Sequence, residues 1–138
     1  MTIAAAVGSI KRRRSTLHGW GVFALKPIPK NKRIIDYAGE KVSHQESLRR
    51  EHRHMGRGQI WCFQISRRYV RDAAVGGNLA RFINHSCHPN CYVQIVGDTI
   101  WIRAARNIRA GEELTYDYCT DGDASIHCRC RAGCQRLL

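Results

Sequence analysis

The stretch Asn84-His85-Ser86-Cys87-His88-Pro89-Asn90-Cys91 carries the strongest fold signal in this 138-residue chain. It places two asparagines, two histidines and two cysteines around one proline. A string of this kind can be a polar loop in which Asn84 and Asn90 bond their own backbone, a metal-binding loop, or a cysteine–histidine nucleophile site. A nucleophile site needs a base held by an orienting group, and no such group is recognisable. The surrounding strings must therefore decide between these interpretations.

On the C-terminal side lies Gly111-Glu112-Glu113-Leu114-Thr115-Tyr116-Asp117-Tyr118. If this segment is a strand, Tyr116 and Tyr118 point to the same face, because side chains alternate along a strand. On the N-terminal side, His18-Gly19-Trp20-Gly21 has two glycines around one residue, which lets the backbone approach a ligand closely. It lacks the further glycine of a dinucleotide-binding fingerprint. Taken singly, both strings are also compatible with ordinary strand packing and a plain turn.

A third signal is the close spacing of Cys128, Cys130 and Cys134 near the end of the chain. Thiolates bind zinc well, and structural zinc takes four ligands. The total of seven cysteines is odd and no secretory signal precedes them, so metal binding is favoured over a disulfide framework. The fourth ligand must come from elsewhere, and the candidates are Cys87, His88, Cys91, Cys119 and His127.

Composition indicates one globular domain with a strongly basic balance. The formal net charge is +12, from 23 Lys and Arg against 11 Asp and Glu, which favours acidic partners and nucleic acid above all. No recognised DNA-binding motif is present, so sequence-specific base contacts are not expected. No apolar stretch approaches the ~20 residues that a spanning helix needs, so we expect an intracellular protein without membrane contact. Residues 1–9 are expected to be loose, and residues 1–14, which contain the basic run 11–14, are expected to form a basic N-terminal tail.

The pattern of short apolar runs between turn signals predicts a mostly β chain. A surface helix is expected over 45–54, with Ser43 as its N-cap and Glu46 completing a capping box. A second, short helix is expected over 78–83. Tight turns are expected at 96–99 and 108–111. The predicted strands are 21–25, 33–38, 61–66, 69–73, 92–96, 99–103 and 114–118.

In this order, the strings resemble the SET-domain family of protein lysine methyltransferases with a C-terminal post-SET zinc module. The resemblance spans residues 17–134 and includes His18 to Phe23, Tyr37-Ala38-Gly39-Glu40, the 84–91 string, the 111–118 string and the terminal cysteines. It implies a β-clip-like fold of several small curved sheets, in which the segment 84–90 passes under a loop to form a pseudoknot. It also implies a SET domain over 15–118 with a variable insert at about 41–60, and a zinc-stapled tail over 119–138.

The resemblance further implies two cofactors, S-adenosylmethionine and Zn²⁺. Tyr118 matches the catalytic tyrosine, and Tyr116 matches a position that limits how many methyl groups fit, so mono-methylation is expected. The family pattern selects Cys87 as the fourth zinc ligand, although the spacing Cys-x-Cys-x3-Cys is one residue shorter than usual. Trp61 falls near a position where relatives have a channel-lining tyrosine. The residues expected to contact S-adenosylmethionine are His18, Gly19, Trp20, Trp61, Arg81, Asn84, His85 and Arg129.

The function implied is methyl transfer to a lysine of a histone or a histone-like, DNA-bound protein, with non-specific DNA contact expected from the charge. A catalytically silent chromatin or nucleoid-binding module with the same fold is the first alternative, and a zinc-stapled nucleic-acid-binding protein is the second. The compact form resembles bacterial members, which predicts the cytoplasm or nucleoid of a bacterium, with the nucleus and chromatin as the alternative. Oligomeric state has no signal in the sequence.

Overall fold

The computed structural model describes residues 7–54, 61–118, 128–130 and 132–137. Within these ranges the protein is built mainly from short strands in four small sheets, so the mostly β architecture with few helices is confirmed. The described ranges contain one α-helix, α1 (His44–His54), and short 3₁₀ helices over Val7–Ser9 and Leu79–Phe82. The strands are β1 (Ile10–Arg14), β2 (Trp20–Ala24), β3 (Arg33–Asp36), β4 (Glu40–Ser43), β5 (Cys62–Gln64), β6 (Tyr69–Asp72), β7 (Asn84–His85), β8 (Cys91–Val96), β9 (Thr99–Ala104) and β10 (Thr115–Tyr116).

Three of the sheets are antiparallel, pairing β1 with β2, β9 with both β3 and β8, and β6 with both β4 and β5. The predicted turn at 96–99 joins β8 to β9, and Gly97 adopts φ 60° there, a backbone angle that glycine tolerates without steric cost. In the fourth sheet β7 pairs in parallel with β10. That pairing brings the 84–91 string against the 111–118 string. The threading of a pseudoknot stays a prediction.

The core is rich in isoleucine and lies between these sheets. Alternate residues of β9, namely Ile100, Ile102 and Ala104, are fully buried, as expected for a strand with one face on the core. Ile34 of β3 and Leu114 before β10 are buried in the same cluster. No helix in the described part of the chain combines the length and apolar character needed to cross a membrane.

Residues 10–14, the last part of the expected basic segment, form β1. Ile10 is buried in the core, and the strand pairs along its length with β2, from Ile10 opposite Ala24 to Arg14 opposite Trp20. The basic run shows no apolar alternation, so its sequence pattern is that of a solvated segment. Main-chain pairing with β2 and contacts between guanidinium groups and aromatic rings hold it in place instead.

Helix α1 begins as the sequence predicts, because the Glu46 amide donates to Ser43 Oγ at 3.1 Å. Its attachment is polar, since Ser47 is buried whereas Leu48 is exposed. Arg50 provides the anchor by pairing with Glu46, with Glu40 of β4 and with the buried Asp72 of β6. The helix is therefore held on the surface by charge pairs, and the second predicted helix proves to be the 3₁₀ turn over 79–82, capped by Asn78.

Replacing Gly39 by alanine is expected to lower the free energy of unfolding by about 1–3 kcal/mol. A Cβ on Gly39 would lie 2.6 Å from both the carbonyl carbon and the oxygen of Asp72, which are backbone atoms of β6 and cannot move away cheaply. Urea denaturation followed by tryptophan fluorescence measures the change. Gly8→Ala is the matched control, because nothing lies within 4 Å of its Cβ; equal stability of the two variants would contradict the prediction.

Candidate functional site

The parallel pair β7 and β10 forms the centre of the site. Asn84 lies beside Thr115, and His85 lies beside Tyr116. Asn90 holds the two segments together, because its side chain donates to the Glu113 carbonyl at 2.8 Å and accepts from the Thr115 amide at 2.9 Å. The 84–91 string and the 111–118 string therefore form one structural unit.

Asn84 connects this unit to the turn that precedes β2. Its side-chain amide donates to the carbonyl oxygens of His18 and Trp20 at 3.1 and 2.9 Å, and to Glu113 Oε2 at 2.9 Å. Its side-chain oxygen has no hydrogen-bond partner among the described residues, although Asn84 is only 7% exposed. An acceptor left without a partner at such a depth favours a ligand with an N–H donor.

Glu113 orders the same region from the other side. Both of its carboxylate oxygens accept from Ser15 Oγ, at 2.8 and 2.9 Å, in addition to the bond from Asn84. Gly21 makes this possible, since a Cβ there would lie 2.3 Å from Glu113 Oε2. The second glycine of the His18–Gly21 string is therefore needed for the close approach of a carboxylate.

His85 links the strand pair to the cysteines. Its Nδ1 accepts from the Tyr118 amide at 3.0 Å, which places the proton of the neutral ring on Nε2, and Nε2 lies 3.5 Å from Cys87 Sγ. Burial lowers the pKa of His85, and the Asp117 carboxylate opposes that shift. The neutral ring with a proton on Nε2 is thus the form that satisfies both contacts.

Four aromatic side chains line the space next to β10. The ring centroids of Tyr116 and Tyr118 lie 4.9 Å apart, those of Tyr116 and Phe63 lie 6.0 Å apart, and those of Phe63 and Tyr37 lie 5.2 Å apart. Desolvation raises the pKa of Tyr37, Tyr116 and Tyr118 above the ordinary value of a phenol, so each is a neutral hydroxyl near pH 7. Together they form an apolar site with a few hydroxyl groups.

The hydroxyl groups in this aromatic cluster differ in their partners. Tyr118 donates to the Ile83 carbonyl at 2.5 Å, and Tyr37 donates to the Trp61 carbonyl at 2.8 Å. The Tyr116 hydroxyl has no hydrogen-bond partner in the described part of the chain, although the residue is only 4% exposed. A buried hydroxyl in that state favours a bound water or a polar group of a ligand.

Guanidinium groups and aromatic rings alternate along the edge of the site. Arg12 and Arg14 lie 4.5 and 4.4 Å from the centre of the Trp20 ring. Arg81 lies 4.8 Å from the Phe82 ring and 5.6 Å from the Trp61 ring, and it donates to the Ala73 carbonyl. The structure therefore places three residues expected to contact the cofactor, Trp20, Trp61 and Arg81, around this edge.

The four cysteines of the predicted zinc site come together. The Sγ atoms of Cys87, Cys128, Cys130 and Cys134 all lie within 4.8 Å of one another, with Cys87 at 3.9 Å from Cys128 and 4.0 Å from Cys134. Four thiolates around a tetrahedral zinc ion at ~2.3 Å lie ~3.8 Å apart, so the donor set fits zinc. The shortened loop closes through Gly133, which has φ 78°.

The other candidates for a fourth ligand do not join this cluster where the structure describes them. Cys91 is buried in the core, where burial raises the pKa of its thiol to about 12, and His88 is exposed. Cys119 and His127 lie outside the described residues. A hydrogen bond from the Cys87 backbone lowers the pKa of Cys130, which favours the thiolate form that a metal binds.

The comparisons with known proteins agree with this geometry. The family model described as the SET domain matches residues 19–119. The chain belongs to the SET-domain family. The fold class and the family resemblance inferred from the sequence are thereby confirmed.

Several curated SET-domain proteins are similar to this chain. A histone-lysine N-methyltransferase, H3 lysine-4 specific, of Yarrowia lipolytica is 42% identical over 94% of this chain, and a histone-lysine N-methyltransferase of Arabidopsis thaliana is 38% identical over 88% of it. The chain spans 12% and 10% of the length of these two relatives. They are fungal and plant proteins, so the expected bacterial setting has no support from them.

Solved structures show the same SET-domain fold. Polycomb repressive complex 2 of Chaetomium thermophilum, in an autoinhibited conformation bound to S-adenosylmethionine, matches 84% of this chain with a TM-score of 0.73 and 34% identity. The match covers 15% of that chain. A crystal structure of the same complex matches with a TM-score of 0.74 and 34% identity.

Within this SET domain, the sequence analysis missed several residues that shape the site. Tyr37 lies in the family-like string 37–40 but has no signal of its own, and Phe63 shows only strand-like alternation. Glu113 has no signal of its own because its neighbour Glu112 is also acidic, and Glu112 pairs with Arg106 at the surface. Arg129, expected against the cofactor, is exposed beside the cysteines.

Asp117 and Arg136 form a further contact that no sequence pattern predicts. The two guanidinium nitrogens of Arg136 lie 3.0 and 3.1 Å from the two Asp117 oxygens, and one of them lies 4.0 Å from Cys87 Sγ. The Arg136 carbonyl also accepts from the Cys128 amide at 2.9 Å. The C-terminal segment is thus tied to the residue between the two tyrosines.

Replacing Arg136 by methionine is expected to accelerate loss of zinc severalfold, because it removes a donor to Cys87 and the pair that holds the segment on Asp117. Removal of a hydrogen-bonding partner next to a metal ligand typically weakens metal affinity about 10–100-fold. Zinc transfer to a chromogenic chelator measures the rate. Arg106→Met is the control, since it breaks a similar pair with Glu112 elsewhere. Equal rates of zinc loss from the two variants would show that Arg136 has no particular role in retaining zinc.

Proposed function

We propose that this SET domain is a protein-lysine N-methyltransferase that uses S-adenosylmethionine and acts on a histone or histone-like protein. The observation that carries the proposal is the parallel pair β7 and β10. It places Asn84, whose buried side-chain oxygen has no partner among the described residues, on one strand, and the other strand leads to Tyr118. Cofactor contacts and a phenol therefore meet at a single junction.

The residues fit the proposed cofactor. The buried Asn84 oxygen and the carbonyls of His18 and Trp20 are acceptors suited to the ammonium group of a methionine moiety. Gly19 adopts φ 46° with open space around it, so the turn leaves room for a ligand. S-adenosylmethionine supplies a methyl group on a positively charged sulfur. The role proposed for the residues at 18–20, 61, 81, 84, 85 and 129 is to hold that molecule.

Tyr118 and its neighbours act on the lysine and the methyl group. Because Tyr118 donates its proton to the Ile83 carbonyl, the lone pairs of its oxygen remain available for weak CH···O contacts with the methyl group. The rings of Tyr37, Phe63 and Tyr116 exclude water, which lowers the pKa of an entering lysine and favours the neutral amine. Alignment of amine and methyl in this narrow space supplies most of the rate enhancement.

Zinc is proposed to hold the tail rather than to take part in the reaction. Cys87 lies two residues after the end of β7, whereas Cys128, Cys130 and Cys134 belong to the C-terminal segment. A metal bound by these four thiolates joins the segment to the site at the position where His85 contacts Cys87. The free energy of zinc binding at a structural site of this kind contributes directly to the stability of the folded state.

Tyr116→Phe is expected to shift the product from monomethyl-lysine toward dimethyl- and trimethyl-lysine. The Tyr116 hydroxyl is buried with no hydrogen-bond partner among the described residues, so it can hold a water or the lysine amine, and it occupies space that further methyl groups need. Mass spectrometry of the product peptide measures the methyl distribution. A wild-type product that is mainly trimethyl-lysine would contradict the proposed preference.

The substrate class is inferred from charge and from the names of the relatives. The relatives named above are histone-lysine methyltransferases, so a histone and the nucleus are proposed for this chain as well. With a net charge of +12 the domain repels a free basic tail, and DNA under the substrate reverses that repulsion. We therefore expect faster transfer to DNA-bound histones than to free ones at low salt.

The test is transfer of labelled methyl from S-adenosylmethionine to free histones, nucleosomes and other lysine-rich proteins. Label in lysine is the expected result, with nucleosomes preferred at low salt and the preference lost near 1 M salt, where charges are screened beyond ~3 Å. Cofactor binding without transfer to any substrate would favour a silent chromatin-binding module. Absence of cofactor binding in a folded, zinc-loaded protein would overturn the proposal.

A further inference from the structure

Strand β1 presents four consecutive cations at the surface. Lys11, Arg12, Arg13 and Arg14 are all exposed, and only Ile10 of this strand is buried. β1 belongs to a two-stranded sheet and pairs with β2 alone, so its other edge has no strand partner among the described residues. The charges therefore form a continuous row along an exposed edge.

These four cations are not neutralised by carboxylates in the described part of the chain. In contrast, the cations that form ion pairs with Asp or Glu lie elsewhere, at Lys41, Arg49, Arg50, Arg106 and Arg136. A row of cations without counterions raises the local positive potential and attracts anions.

Aromatic rings position three of the guanidinium groups without removing their charge. Arg12 and Arg14 lie over Trp20, and Arg13 lies 5.9 Å from the centre of the Phe23 ring. Such contacts leave the planar N–H groups free for bidentate hydrogen bonds with phosphate. The row is therefore ordered before a partner binds, which reduces the entropy that binding costs.

The spacing of the row matches one partner class. Side chains alternate between the two faces of a strand that rises ~3.3 Å per residue, so the cations of one face recur every ~6.6 Å, about the axial rise of two phosphates at ~3.4 Å each along one strand of duplex DNA. The lack of exposed apolar side chains on β1 disfavours a membrane surface. We propose that β1 binds the phosphate backbone of duplex DNA without sequence specificity.

DNA binding by β1 would explain the proposed preference for DNA-bound substrates. Its biological purpose rests on the proposed function, but DNA binding itself can be measured without methyl transfer. Lys11 and Arg13 are the residues to change. They lie opposite Phe23 and Gly21, whereas Arg12 and Arg14 contact Trp20 of the proposed cofactor site. Changing the first pair leaves the residues proposed for catalysis and cofactor binding intact.

The experiment measures binding of the full chain to a fluorescent 20-base-pair duplex at several salt concentrations. Each lost phosphate contact lowers the slope of log affinity against log salt by about 0.9, so Lys11→Gln/Arg13→Gln is expected to lower it by about 1.8. The control Lys26→Gln/Lys30→Gln removes two exposed positive charges from another loop and is expected to change the slope by less than half as much. Lys11→Arg/Arg13→Lys retains the charges and should retain the slope.

Three results would overturn the proposal. One is the absence of DNA binding by the wild-type chain at low salt. Another is an equal fall in slope for Lys11→Gln/Arg13→Gln and Lys26→Gln/Lys30→Gln, which would indicate that binding depends on net charge alone. The third is competition by poly-glutamate as effective as competition by unlabelled duplex at equal charge, which would indicate an acidic protein partner. Thermal unfolding of each variant excludes misfolding as the cause of a loss. Methyl transfer to a free peptide reports separately on the proposed function.

Discussion

Tyr118→Phe is expected to lower the turnover number for methyl transfer by about 100-fold, the typical effect of removing one preorganised polar contact at a reacting centre. The Tyr118 hydroxyl is oriented by its bond to the Ile83 carbonyl, and Tyr118 lies two residues after the end of β10. Because phenylalanine keeps the ring, contacts with Tyr116 and His85 are retained. Single-turnover transfer to a histone peptide, with cofactor affinity measured in parallel, gives the effect.

Tyr92→Phe is the matched control for this prediction. It removes the same hydroxyl from an exposed tyrosine of β8, where the partner is Asn31 Oδ1 at 3.1 Å. Its turnover is expected to remain within about twofold of wild type, since surface substitutions of this kind change stability by no more than about 0.5 kcal/mol. Similar turnover for Tyr118→Phe and Tyr92→Phe would remove Tyr118 from the mechanism.

Cys134→Ala is expected to abolish stoichiometric zinc binding and, with it, most methyl transfer. Three thiolates leave one tetrahedral position to water, and apparent binding energies of structural zinc reach about 10–16 kcal/mol in small domains. Without the metal, the segment 128–137 keeps only contacts such as the Asp117–Arg136 pair, whose side chains are 37% and 32% exposed. An exposed pair of that kind contributes about 1 kcal/mol or less.

Cys62→Ala is the control for metal content. Cys62 lies in β5, outside the cysteine cluster, and burial raises the pKa of its thiol to about 12, so it is a thiol rather than a thiolate. Atomic emission is expected to find one zinc per chain in wild type and in Cys62→Ala, and much less in Cys134→Ala. Full zinc content in Cys134→Ala would exclude that residue as a ligand.

The sequence predicts the fold well where the strands repeat familiar patterns. β9 alternates partly buried and fully buried residues, Gly97 marks its hairpin, and Ser43 caps α1, so local rules suffice in each case. The family strings supply what local rules cannot, namely that Cys87 joins cysteines more than 40 positions away. Such a contact has no local signal and depends on the whole fold.

The remaining features depend on tertiary contacts. β1 is a strand because β2 offers main-chain partners and aromatic rings for its guanidinium groups, and neither is visible in the run Lys11–Arg14 itself. β7 has two residues, which is too short for any periodicity. The pairing of Asp117 with Arg136 joins positions that only the ordered tail brings together.

The contact between Gly21 and Glu113 bears on how this protein can vary. Glu113 is fixed by Ser15 and Asn84, so it cannot withdraw from a side chain added at position 21. A drift toward alanine at 21 is accommodated only if the acid at 113 is shortened or lost, and that loss would leave the Asn84 amide and the Ser15 hydroxyl short of an acceptor. The four side-chain positions are therefore coupled, so a substitution at any of them changes which substitutions the other three can accept.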